Sequence, residues 1–348
     1  MQQRTEIASL GEFGLIKHLT ENIKLKHSSS VLGVGDDAAI LSYADSASQK
    51  VLVTTDLLLE GIHFDLIYVP LKHLGYKSAV VNFSDIYAMN GQPKQITVSL
   101  GVSKRFSVED LEDFYAGLEL ACEQYGVDIV GGDTSASLTG LCISITCIGE
   151  GVEGKIVTRD GAKENDIICV SGDLGAAYMG LQLLEREKAI FDGKSDFTPD
   201  FSGREYLLER QLKPEARKDI IEALANEGIV PTSMMDISDG LSSELIHICR
   251  QSKVGCRIYE ERLPLDYQTA VMAEEFNLNV TTVALNGGED YELLFTVPLH
   301  LHDKVSKMKG VRVIGHITNE SLGLALETRD STEIELKAQG WNSLSEEG

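Results

Sequence analysis

Carboxylates placed beside glycine, or at the ends of apolar runs, set the chemistry open to this chain. Asp36 and Asp37 lie in Gly33-Val34-Gly35-Asp36-Asp37, Asp56 follows Val51-Leu52-Val53-Thr54-Thr55, and Asp85 sits in Phe83-Ser84-Asp85. Asp133 follows Gly131-Gly132, Asp236 and Asp239 bracket Ile237-Ser238 ahead of Gly240, and Glu289 and Asp290 follow Gly287-Gly288. Glycine lets backbone and ligand approach closely, and a carboxylate supplies a hard oxygen. With the hydroxyls of Thr54, Thr55 and Ser238, these residues form the ligand set expected for Mg²⁺ bridging phosphates. Each has a plainer reading when taken alone. Gly-Asp is a turn, Ser-Asp before Gly-Leu is a helix cap, and Asp85 is a solvated helix residue. Packed together without cations, their charges would be severely unfavourable.

The overall charge points the same way. Of 348 residues, 31 are lysine or arginine and 54 are aspartate or glutamate, giving a net charge of −23. Such a chain is no general nucleic-acid binder, because phosphate backbones are held by clustered basic residues, and it is not held to anionic lipid by them either. A phosphate ligand would need metal ions to neutralise it. Familiar phosphate devices are missing: no G-x-x-x-x-G-K-[S/T], no H-R-D or D-F-G set, and no third glycine after Gly33-Val34-Gly35. A G-x-S-x-G elbow and an H-E-x-x-H pair are also missing. Among eight histidines only His63, in Gly61-Ile62-His63-Phe64, sits suggestively after Asp56, and a satisfied core histidine explains it equally well.

Six cysteines form no C-x-x-C pair and sit mostly in apolar runs, as in Cys142-Ile143-Ser144-Ile145, which argues against zinc and for reduced, buried thiols. Met1 to Thr20 has no apolar signal region, and no apolar stretch approaches the ~18 residues that span a bilayer. A cytoplasmic protein with no membrane association is expected.

The elements that must position these groups alternate as in α/β or α+β proteins. Strands are expected at Val51–Thr55, at Val127–Val130 running into Gly131-Gly132-Asp133, and at Leu141–Gly149, the last apolar enough to be central. Helices are expected at Leu71–Met89, with Leu74, Ser78, Val81 and Asp85 on one face, and at Val108–Tyr125, capped by Ser107 with Asp110. The polar stretch Glu150–Asp166 divides a first domain, 1–155, from a second, 156–348. Beyond it strands are expected at Ile167–Val170, Val254–Tyr259, Glu292–Val297 and Val311–Ile317. Helices follow Gly172-Asp173-Leu174-Gly175 through Glu187, and span Pro214–Glu227 and Gly240–Gln251, with Ala189–Gly203 a surface loop. Phe83-Ser84-Asp85 with Gly131-Gly132-Asp133 is echoed by Ile237-Ser238-Asp239 with Gly287-Gly288-Glu289, too weakly to establish a duplication.

These motifs resemble the thiamine-monophosphate kinases, within the ATP-using superfamily typified by aminoimidazole ribonucleotide synthetase. The resemblance runs nearly end to end. It takes in Gly11-Glu12-Phe13, Gly33-Val34-Gly35-Asp36-Asp37, Thr54-Thr55-Asp56, Asn82-x-Ser84-Asp85-x-x-Ala88-Met89, Gly131-Gly132-Asp133-Thr134 and Thr158-Arg159-x-Gly161-Ala162. It closes with Asp236-x-Ser238-Asp239-Gly240-Leu241. The Gly61-x-His63-Phe64 segment, Gly287-Gly288-Glu289-Asp290-Tyr291-Glu292-Leu293 and Gly340-Trp341 point to the thiamine-phosphate branch. Sister selenophosphate synthetases carry an N-terminal reactive Cys, whereas the first cysteine here is Cys122, and hydrogenase-maturation relatives end in cysteine.

The resemblance implies two α/β domains of the aminoimidazole ribonucleotide synthetase-like fold, a homodimer, and an active site between the domains. It implies direct transfer of the ATP γ-phosphoryl group to thiamine phosphate. Asp36, Thr54, Thr55, Asp56, Asp85, Asp133, Asp236 and Asp239 would bind several Mg²⁺ ions. Tyr125, Gly132, Asp133, Arg159 and Ser238 would contact ATP, and His63, Glu289 and Trp341 the second substrate. It assigns Asp37 no role.

Overall fold

Two mixed sheets follow one another along the chain, and a single buried helix lies between them. The computed structural model describes residues 27–42, 48–190 and 201–338. Gly11-Glu12-Phe13, Trp341 and most of the expected 189–203 loop lie outside the described residues.

The first unit comprises β1 (Ser30–Leu32), β2 (Ala39–Leu41), β3 (Gln49–Leu59), α1 (Leu71–Ala88), β4 (Gln92–Val102), α2 (Val108–Tyr125), β5 (Asp128–Ala136) and β6 (Cys142–Val152). Its sheet has the order β1-β2-β3-β6-β4-β5, antiparallel except for the β4–β5 pair. The second unit begins with β7 (Ile167–Ser171), α3 (Ala176–Ile190), α4 (Glu205–Leu212), α5 (Lys218–Asn226), β8 (Ser233–Asp236) and α6 (Leu241–Ser252). It continues with β9 (Gly255–Tyr259), α7 (Tyr267–Glu275), α8 (Val280–Asn286), β10 (Leu293–Val297), β11 (Val311–Thr318), β12 (Leu324–Glu327) and β13 (Glu333–Glu335). Here the order is β13-β12-β9-β11-β7-β10-β8, with only β12 and β9 parallel. This is the mixed α/β (α+β) architecture expected from the alternating pattern.

Local chemistry explains several of the boundaries. At the start of α2 the Ser107 hydroxyl accepts from the Asp110 amide at 3.2 Å, and the Asp110 carboxylate accepts from the Ser107 amide at 2.8 Å. Strand β6 lies between β3 and β4, as its apolar run suggested. Two expectations need correcting. The strand expected at Val127–Val130 does not stop at Val130: β5 continues through Gly131-Gly132-Asp133, with Gly132 and Asp133 in register with Val98 and Ser99 of β4. A Cβ on Gly132 would stand 1.8 Å from the Val98 carbonyl oxygen, so glycine there permits a close strand pairing rather than a turn. Helix α5 starts at Lys218, not at Pro214. The Ala216 carbonyl ahead of it accepts from Tyr125 Oη at 3.2 Å and from the Lys218 amide at 2.8 Å.

Helix α1 is not the one-sided surface helix that its pattern suggests. It is buried almost continuously from Leu74 to Ala88, because the first sheet covers one side and β8 the other. Helix α2 presses closely on it, and a Cβ on Gly75 would stand 1.9 Å from the Phe114 carbonyl oxygen. One apolar core therefore runs from Leu52 and Ile145 through Phe83 and Ile86 to Met234 and Phe295 of the second sheet. The opposite face of that sheet, with Val170, Met235, Ile258 and Leu294, packs under α6 and forms a separate core. Among the described residues no helix is long and apolar enough to cross a membrane.

Candidate active site

The seam along α1 gathers carboxylates from segments far apart in sequence. Asp37 comes from the loop between β1 and β2, Asp85 from the last turn of α1 and Asp236 from the end of β8. One carboxylate oxygen from each lies within 4.8 Å of the others. Hydroxyls hold two of them in place: Thr54 Oγ1 donates to Asp85 at 2.6 Å, and Ser84 Oγ donates to Asp236 at 2.5 Å. The second of these bonds also joins α1 to the second unit.

Burial dominates the electrostatics. It pushes Asp36 and Asp236 up to about 7 and Asp56 to about 6, and lifts Asp85 well above the usual carboxylate range. Repulsion adds to the effect. Asp85 feels Asp56, Asp236 and Asp37, while Asp236 feels Asp37 and Asp56. Arg159 answers part of this charge. Its Nε and Nη2 donate to the two oxygens of Asp37 at 3.0 and 2.7 Å, and its amide donates to Asp36 at 3.1 Å. Several desolvated oxygen donors with one buried guanidinium suit a hard divalent cation such as Mg²⁺, and Asp37, Asp85 and Asp236 are close enough to share one.

A strained turn closes the seam from the second unit. Glu289 and Tyr291 both have positive φ, at 65° and 51°, a conformation that costs non-glycine residues about 1–3 kcal/mol each. Neighbouring groups enforce it. The Glu289 amide donates to the Ser238 carbonyl at 2.7 Å and the Tyr291 amide to the Ile237 carbonyl at 2.9 Å. Asp290 accepts from the Gly175 amide at 2.7 Å, at the entry to α3, and Glu292 pairs with Arg210 at 3.0 Å and with Arg217. The carboxylate of Glu289 thereby faces α1, where Lys77 Nζ lies 3.0 Å away.

Other residues named from sequence are dispersed. Asp239 lies in the loop held against this turn, and its amide donates at 2.9 Å to the buried Glu244. His63 follows β3 in a tight turn, its Nδ1 accepting from the Leu59 amide at 3.0 Å. Thr55 does not share the Thr54 face: strand alternation turns it to the opposite side of the sheet, where its hydroxyl donates to the Ile145 carbonyl at 3.0 Å. Gly132 and Asp133 are exposed on the edge strand β5, and Asp133 stands outside the carboxylate group. Tyr125 is not at the seam. Its ring packs against Phe83 and Tyr87, and its hydroxyl is spent on Ala216. Trp341 lies outside the described residues.

The family resemblance gave Asp37 no role, although the glycine-flanked carboxylates already included it and it is the one that joins Arg159 to Asp85 and Asp236. Sequence reasoning passed over Lys77, Gln211 and Glu244, for which single residues in helices offer no pattern. A cavity of about 490 Å³ lies elsewhere, between α8 and the β12–β13 edge, and none of the residues lining it belongs to the carboxylate group.

Comparison with known proteins gives this geometry a context. Residues 35–150 match the family described as AIR synthase related protein, N-terminal domain. The chain is 38% identical over 292 residues to the thiamine-monophosphate kinase of Aquifex aeolicus, covering 84% of this chain and 87% of that one. It is 32% identical over 346 residues to that of Bacillus subtilis, covering 96% and 99%. The solved structure of AaThiL complexed with AMPPCP and TMP superposes with a TM-score of 0.82 at 34% identity, covering 98% of this chain and 99% of that one. Hydrogenase maturation protein HypE in complex with ATP shares the fold alone, with a TM-score of 0.66 at 19% identity and coverage of 98% and 100%.

Proposed function

The chain belongs to the thiamine-monophosphate kinase family, and from that premise we propose how its residues divide the work of moving the γ-phosphoryl group of ATP onto thiamine phosphate. The products are ADP and thiamine diphosphate. The observation that carries this reading is the meeting of Asp37, Asp85 and Asp236 in one buried seam. Asp36, Asp56, Asp133 and Asp239, with Thr54 and the backbone at Thr55, complete the Mg²⁺-binding set, to which Asp37 is added. Metal bound there offsets the charge of the donor and acceptor phosphates.

Arg159 meets the nucleotide phosphates through Nη1, because Asp37 already occupies its other two nitrogens. Gly132, Asp133 and Ser238 lie on the nucleotide side; Tyr125 is withdrawn from that set, since its hydroxyl and both ring contacts are committed to packing. His63, Glu289 and Trp341 receive thiamine phosphate. The anionic Glu289 suits the cationic thiazolium, and Trp341 offers a ring to stack on.

Transfer is direct. An oxygen of the thiamine phosphate attacks the γ-phosphorus as the bond to the β-phosphate oxygen breaks, and ADP leaves with that electron pair. The acceptor is already anionic, so no base has to deprotonate it. A covalent route would need an activated nucleophile on the chain. Accepting the Leu59 amide at Nδ1 leaves the neutral His63 ring with its proton on Nε2, a donor rather than an attacking lone pair. Cys122, Cys147 and Cys169 are buried, and burial raises their thiols further from ionisation.

We assign residues 1–155 to the domain that binds ATP and Mg²⁺ and pairs with a second copy, and 156–348 to the domain that completes both sites, in a cytoplasmic homodimer. The first sheet supports the pairing, because its face away from α1 carries Leu57 and Val152, 53% and 46% exposed, and β5 is its edge strand among the described residues. A coupled assay for ADP release tests the activity. Turnover should require both thiamine phosphate and Mg²⁺ or Mn²⁺; ADP release without thiamine phosphate, or in excess EDTA, would defeat the assignment.

A further inference from the structure

Lys77 is the only buried lysine or arginine among the described residues, and it stands on the helix that separates the two units. A buried ammonium is costly unless paired. Here Nζ donates to the Gln211 carbonyl of α4 at 3.0 Å and pairs with Glu289 Oε1 at 3.0 Å. The other oxygen of Glu289 accepts from Gln211 Nε2 at 2.7 Å. Each oxygen of Glu289 therefore has one donor from the chain, while the side chain keeps 30% exposure toward solvent.

The spacing along α1 adds a second constraint. Ser84, which holds Asp236, lies seven residues beyond Lys77 on the same helix face. Seven residues are two turns, about 10.5 Å of rise. One rigid helix thus grips the second unit at two points, one on the carboxylate seam and one on the Glu289 turn.

We propose that Lys77, acting with Gln211, is a positioning residue for the substrate: it fixes the direction of the Glu289 carboxylate and sets its distance from the Asp236 side of the seam, so that thiamine phosphate is read at a constant span from the transferred phosphoryl group. The inference rests on the activity proposed above and adds to it the device that sets substrate position.

Initial-rate kinetics on Lys77→Met, Glu289→Gln and the double variant test this. Lys77→Met should raise KM for thiamine phosphate about tenfold, the loss expected for a hydrogen bond to a charged group, while KM for ATP moves less than about twofold. Because Lys77 acts through Glu289, the double variant should be no worse than Glu289→Gln, and Lys77→Arg should recover part of the loss. If Lys77→Met does not fold, Gln211→Met should show the same selective rise. Equal rises for both substrates, unchanged constants, or additive losses in the double variant would overturn the inference. Absence of thiamine-phosphate-dependent turnover by the unaltered chain would instead defeat the proposed function, and the inference with it.

Discussion

Asp85→Asn should make the metal-free protein more stable while removing its response to Mg²⁺. Oxygens of Asp37, Asp85 and Asp236 lie within 4.8 Å of one another. Two unit charges at that distance, in an effective dielectric of about 20, repel by about 3.5 kcal/mol. Residual protonation and Arg159 relieve much of this, leaving a gain of about 2 kcal/mol for deleting the Asp85 charge at pH 8. Little opposes that gain, because an asparagine oxygen can still accept the Thr54 hydroxyl. The pH dependence has a defined sign. The folded-state pKa values of Asp36, Asp56 and Asp236 are raised from 3.8 to between about 6 and 7, and that of Asp85 is raised too. Between these limits these four carboxyl groups bind more protons in the folded chain than in the unfolded one, so their contribution to metal-free stability is full below pH 4 and is lost as pH rises through about 7. The advantage of Asp85→Asn should therefore vanish near pH 4 and reach about 3 °C in Tm at pH 8 in EDTA. Melting curves at both pH values, with EDTA and with Mg²⁺, read this directly. A variant that melts below the unaltered chain at pH 8 in EDTA, or that still gains stability from Mg²⁺, would refute the reasoning.

Tyr125→Phe should cost about 1 kcal/mol of stability through the lost bond to Ala216 and leave KM for ATP unchanged; a selective rise in that KM would return Tyr125 to the nucleotide site. Asp133→Asn should abolish turnover yet melt within about 2 °C of the unaltered chain, since its site on β5 is exposed, and full activity would remove it from the metal set. Trp341→Ala should weaken thiamine phosphate binding by about 1–3 kcal/mol with little effect on ATP, and equal calorimetric losses would make it a packing residue. ATP made chiral at the γ-phosphorus should give inverted product; retention, or a radiolabelled protein band after incubation with ATP alone, would contradict direct transfer.

Much of this protein could be read from local pattern. The apolar run at Leu141–Gly149 marked a central strand, and Ser107 with Asp110 marked the start of α2, because both signals act over a few residues. The carboxylates beside glycine and hydroxyl residues announced an acidic cluster, because charge is a property of composition, and three of them meet in the fold. What stayed hidden depends on distant partners. Nothing local distinguishes Thr54 from Thr55; pairing of β3 in its sheet turns one hydroxyl to Asp85 and the other away. Nor does the α1 sequence reveal that both sides will be covered, since burial on the second side comes from β8, about 150 residues later. Asp37 and Lys77 acquire their roles only when Arg159 and Glu289 arrive from the rest of the chain. Composition and short-range periodicity establish which chemistry is available. Which groups stand within a few ångströms of each other depends on contacts that close only when the two sheets pack against α1, and electrostatic and hydrogen-bond energies are decided at that range.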